Sequence, residues 1–173
     1  MIMGLDKMHF VEQLARVLKE SEAVAERAEQ EAREAARCVA TESEKKEDGR
    51  AAIEFGSLAT AQAARTRKAQ QELKQLAAFS QRALPRFDRK SPVGLGAIVD
   101  IAIENERGKQ ERTFILLPVG AGAELPGPGG DGYISVITPA SPVGKALLGR
   151  QAGDTFEVII KNEAHEWTVV EVN

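Results

Sequence analysis

One cysteine and two histidines are a thin supply of ligands and cross-links. Cys38 alone excludes an internal disulfide, and His9 and His165 do not suffice for a structural zinc site. A reducing cytoplasm is the expected setting. No apolar run approaches the roughly 20 residues that a membrane span needs, and no apolar stretch with a small-residue cleavage site opens the chain. Insertion and export are therefore not expected. An excess of positive charge is missing too: 23 Lys and Arg against 26 Asp and Glu leave a formal charge of −3. Strong independent binding to duplex nucleic acid needs concentrated cationic charge to displace counterions, so any RNA contact would be local. Aromatic residues make up only 5% and are unevenly spread, with Phe114, Tyr133 and Trp167 in the second half. The first half is dominated by Ala, Glu, Gln and Arg, which points to two different architectures in 173 residues.

From Asp6 to Glu44 there is neither Pro nor Gly, and the residues present are those that lose least on entering a helix. Alternate steps of three and four pick out Val11, Leu14, Leu18, Ser21, Ala25, Ala28, Ala32, Ala35 and Val39, an uncharged seam. A second seam follows at Ala52, Phe55, Ala59, Gln62, Thr66, Ala69, Leu73 and Leu76, and Pro85 ends the pattern. Pairing positions from opposite ends gives residue numbers that add to 90 or 91, as antiparallel partners require: Val39 with Ala52, Ala28 with Gln62, Leu14 with Leu76. The chain should fold back about residues 45 and 46. Charge agrees with the pairing, since Asp6–Glu44 holds ten acidic and six basic residues and Arg50–Leu84 two acidic and six basic. The seam from Val11 to Val39 would span about 40 Å, more than a small globule uses internally, which suggests a protruding arm. Taken alone, the pattern also suits a bundle fragment or a dimerisation arm.

After Pro85–Lys90 the pattern changes to alternation. Gly96–Ile103 reads as a strand, Asn105–Gly108 as a turn, and Thr113–Leu117 as the returning strand. The Gly- and Pro-rich stretch 118–132 reads as a mobile loop without chemistry. Tyr133–Ile137 is a strand, Ser141 and Pro142 open a short helix as N-cap and first residue, and Gly149 stops it. Two strands close the chain, Thr155–Ile160 and Glu166–Val172. The predicted organisation is α+β: a coiled-coil arm over residues 1–84, a linker over 85–90, and an antiparallel β domain with one short helix over 91–173.

Ile134-Ser135-Val136, then Ser141-Pro142-Val143-Gly144-Lys145-Ala146-Leu147-Leu148-Gly149-Arg150, then Gly153-Asp154 before a strand, resembles the C-terminal signature of the Gre family of bacterial transcript-cleavage and elongation factors. Leu95-Gly96-Ala97-Ile98-Val99 is similar to the family's opening strand, so the likeness covers about 80 residues in order. It implies an FKBP-like C-terminal domain that grips the rim of the RNA polymerase secondary channel, and a coiled coil that enters the channel. The protein would act as a monomer in the cytoplasm. It would not be an enzyme: it assists cleavage of backtracked RNA by the polymerase, near the nascent RNA 3′ end, using the polymerase's own Mg2+ and no cofactor of its own.

The resemblance also assigns roles. Acidic residues at the tip help hold the second Mg2+ of the polymerase, which places Glu44, Glu47 and Asp48 in that role. Matching the family's closing Glu-Tyr to Glu54-Phe55 sets its first tip acid on Asp48 and its second on Ala51, which has no carboxylate. Ser141 and Pro142 match the rim-docking loop, with Ala140 where an acid or amide often precedes them. Arg65, Arg67 and Lys68 lie where helix two would approach RNA phosphates. Read without the family, the acids are a solvated hairpin tip and the three cations a solvated helix face. Other functions compatible with the sequence are a channel-occupying inhibitor without cleavage, a peptidyl-prolyl isomerase or chaperone, and a coiled-coil adaptor. Cys38, beside the seam, reads as a small packing residue.

Overall fold

The computed structural model describes residues 6–42, 46–105, 108–130, 132–160 and 163–173, with backbone alone at 40–42, 46–49, 105 and 160. In chain order the elements are α1 (Lys7–Glu42), α2 (Lys46–Ser80), β1 (Ile98–Asn105), β2 (Gly108–Leu116), β3 (Glu124–Pro126), β4 (Tyr133–Ile137), α3 (Pro142–Leu147), β5 (Thr155–Ile160) and β6 (Glu163–Val172). Two compact units result. One is Ala15–Lys74, and the other combines Met1–Leu14 with Gln75–Asn173.

The first unit is the helical hairpin. Among the described residues, Leu18, Ala25 and Ala32 of α1 and Ala59, Ala63, Thr66 and Ala69 of α2 are its buried side chains. Most are Ala, whose single methyl lets two helix backbones approach closely. Thr66, the polar member, donates its hydroxyl to Gln62 O at 3.1 Å, so burial leaves it satisfied. An open groove of about 290 Å3 brings Ser21, Val24 and Ala25 beside Arg65, Lys68 and Ala69, the neighbours that the antiparallel register requires. The bend expected about residues 45 and 46 is bracketed by the helix ends at Glu42 and Lys46, and residues 43–45 lie outside the described ones. Ser21 is exposed although it falls on the seam, and Cys38 is exposed as well.

The second unit is built on a six-stranded sheet of order β3-β4-β2-β1-β6-β5. Four pairings are antiparallel, as expected, and β2 with β4 is parallel. The parallel pair arises because β3 supplies one extra reversal between β2 and β4. Alternation along the strands puts Val99, Ile101 and Ile103 with Phe114, Leu116, Trp167 and Val169 in one core, which Leu147 of α3 joins. Phe114 stacks on Trp167 at 5.8 Å between ring centroids.

Segment 118–132 differs from its reading as a mobile loop. Val119 is buried, Leu125 is fully buried, and β3 pairs with β4 from Glu124 to Pro126. Its composition is that of a loop, but the buried Leu125 and backbone pairing with β4 hold it as an edge strand. The base of the hairpin also belongs to this unit. A Cβ at Gly120, where φ is +85°, would lie 2.6 Å from Leu14 Cδ1. Gln13 Nε2 donates to Pro126 O at 3.2 Å. Gly96 leaves room for Pro85 and Phe79, while Lys7 donates to Pro85 O at 2.9 Å and lies over the Phe87 ring. Partial burial of Lys7 lowers its pKa from the usual lysine value. The compact unit therefore starts inside both helices, and Pro85–Lys90 does not bound it.

Candidate functional site

The turn from Thr138 to Gly144 follows directly from its sequence. Ser141 has an extended backbone, φ −69° and ψ 152°, and caps α3, while Pro142 takes the first helical position, where a missing N–H costs nothing. The Ser141 hydroxyl donates to Thr138 O at 2.8 Å and accepts from Gly144 N at 3.1 Å and from Thr138 N at 3.3 Å. Ser141 N also donates to Thr138 O, at 3.0 Å. Gly144 is required by space: a Cβ there would lie 1.9 Å from Thr138 O. Ser141 is half-buried, whereas Ala140, Pro142 and Lys145 face solvent. After the cap at Leu148, Gly149 takes φ +81°, and its N–H donates to Val93 O at 2.9 Å, tying the end of α3 back to the domain.

Sequence reading found Ser141 and Pro142 but missed Thr138 and Gly144. Gly144 was visible in the motif as a glycine three residues after a capping serine. Nothing in that spacing reveals that a carbonyl from the end of β4 occupies the space of its side chain.

The other predicted residues divide by position. Glu44 lies outside the described residues. Glu47 and Asp48 belong to the start of α2 by their backbone, and their side chains lie outside the description. Ala51 is half-buried on the same helix. Arg65 and Lys68, one turn apart, line the groove with Glu72, and Lys68 reaches Glu72 at 4.0 Å. Arg67 does not line it, since neighbours one and two residues apart on a helix point to different sides. The three cations therefore do not form one patch. Among the described residues, no cluster of three or more His, Cys, Asp or Glu is placed to hold a metal ion, and no helix is long and apolar enough to cross a membrane.

Residues 88–173, which include the whole sheet, the capped turn and α3, match the family described as transcription elongation factor, GreA/GreB, C-term. The chain belongs to the Gre family. No curated protein sequence matches it. Among solved structures, this Gre-family chain is similar to GreA factor homolog 1 (Gfh1) of Thermus thermophilus, with 20% identity over 92% of this chain and 94% of that one, at a TM-score of 0.37. Gfh1 of Thermus aquaticus is similar at 19% identity, covering 91% and 92%, with a TM-score of 0.36. GreA/GreB from Nitrosomonas europaea is similar at 23% identity, covering 58% of this chain and 78% of that one, with a TM-score of 0.34.

Proposed function

We propose that this Gre-family protein binds RNA polymerase at its secondary channel and modulates cleavage of backtracked RNA. The observation that carries the reading is the closed turn at Ser141 and Pro142 within a GreA/GreB C-terminal domain. This turn docks on the channel rim, and the tip of the hairpin enters the channel. The protein contributes no catalytic residue of its own. Its tip carboxylates act on the polymerase's Mg2+, where a loosely held divalent ion gains from an added oxygen ligand and then stabilises the attacking and leaving oxygens of phosphoryl transfer. Asp48 is the leading acid, with Glu47 and Glu44 beside it in sequence. Arg65 and Lys68 contact RNA only locally. The protein works as a monomer in the cytoplasm.

Ala51 favours a second reading within the same site. Its methyl stands where the family's second tip acid falls, so the hairpin occupies the channel and stimulates cleavage weakly or not at all. Catalysis of proline isomerisation is disfavoured by the aromatic residues: Phe114 and Trp167 are buried in the core, and Phe156 packs against it. Rings consumed by the core are not free to line a peptide cleft, and fold likeness by itself confers no activity.

Binding to core polymerase and cleavage of backtracked RNA at saturating protein test both readings. Expected results are saturable binding, weak wild-type cleavage, and a rise with Ala51→Glu at unchanged affinity. Asp48→Ala should remove what cleavage there is. Failure to bind polymerase overturns the proposal, and strong wild-type cleavage overturns the channel-occupying reading. Slower nucleotide addition with bound protein supports the latter.

A further inference from the structure

We infer that Ser141 positions the docking turn without touching the polymerase, and that Pro142 and Ala140 make the contact. This inference rests on the proposed docking and divides its two named residues by role. A serine hydroxyl has one proton to donate and two lone pairs to accept with. All three are used inside the chain, by Thr138 O, Gly144 N and Thr138 N. Thr138 O is itself committed twice, to Ser141 N and to Ser141 Oγ. A partner seeking a hydrogen bond from Ser141 would have to break one already made, and the hydroxyl is on a half-buried residue.

The same closure sets where Pro142 stands. Thr138 directly follows β4, so the turn is anchored to the sheet through its backbone, and the ring Thr138–Ser141–Gly144 leaves few conformations for the residues between. Gly144 is a second positioning residue, because a Cβ there would lie 1.9 Å from Thr138 O and force the ring open. Left outside are the exposed Ala140 and Pro142. A rigid apolar projection of this kind binds without first being ordered, so opening the ring weakens docking in proportion to the fraction of chains still closed.

The test uses the full chain and core RNA polymerase, with protection of the Gly144 amide from hydrogen exchange as the measure of ring closure. Ser141→Ala and Gly144→Ala should lose that protection and bind about tenfold more weakly. Ser141→Asn, which replaces the hydroxyl with an amide able both to donate and to accept, should recover protection and affinity together. Pro142→Ala should keep protection and still bind at least about fivefold more weakly. Weak binding by a Ser141 variant whose Gly144 amide is fully protected would overturn the inference, as would unchanged binding by Pro142→Ala. Wild type that does not bind polymerase refutes the underlying docking reading instead.

Discussion

Asp88 shows how one side chain shapes the start of the Gre domain. Its carboxylate accepts from the Ser91 hydroxyl at 2.8 Å and from Lys90 N at 2.9 Å, and these bonds hold its pKa below the usual carboxylate value. A carboxylate depressed in the folded state adds stability that is present above its unfolded pKa, about 3.9, and is lost as pH falls through the folded one. The carboxylate's contribution to the turn 88–91 should therefore be present at neutral pH and fade under acid. Ser91→Ala removes the larger cause, so the Asp88 midpoint in an NMR titration should move up towards the ordinary carboxylate value. An unmoved midpoint would show that the Lys90 amide alone sustains the shift.

Among the elements, α2 contains a helix-interior glycine with no packing reason behind it. A Cβ at Gly56 would meet nothing within 4 Å, and beyond the helix's own backbone ladder its carbonyl accepts the local Thr60 hydroxyl, at 2.9 Å. Gly56→Ala should stabilise the protein by about 0.5 to 1 kcal/mol, measured as a higher urea midpoint at unchanged slope. The helices themselves were legible because burial follows the spacing of the seam: Ala25 answers Thr66 and Ala32 answers Ala59. Strands β1, β2, β4, β5 and β6 were legible from alternation. By contrast β3 was not, since three residues including a Pro carry no period, and its partner is chosen by tertiary packing of Leu125. The parallel pairing of β2 with β4 follows from β3 and was hidden with it. In the turn at Ser141, the Ser-Pro cap could be read directly, whereas Gly144's steric role depends on a carbonyl that only folding brings near.

In the whole molecule the compact units divide within continuous helices, between Leu14 and Ala15 and between Lys74 and Gln75. Phe10, Leu14 and Leu76 are buried, and Gly120 is shaped to the Leu14 side chain. A fragment of residues 91–173 thus lacks side chains that its fold is built around. It should melt below the full chain and bind a hydrophobic dye. A shortened chain that joins Leu14 to Gln75 through a brief turn should keep the parent melting temperature of the sheet, followed through Trp167 fluorescence. Equal melting temperatures for fragment and shortened chain would mean that the helix bases contribute nothing.

The constant sum of paired residue numbers gives the hairpin the property of a ruler. Seven residues added to α1 and seven to α2 at matched positions restore the seam pairing and lengthen the hairpin by about 10 Å. Seven added to one helix alone leave each later pair out of step. The length of the hairpin thus changes in register through paired insertions, in increments of two helical turns, each of which leaves the sequence of the β domain untouched.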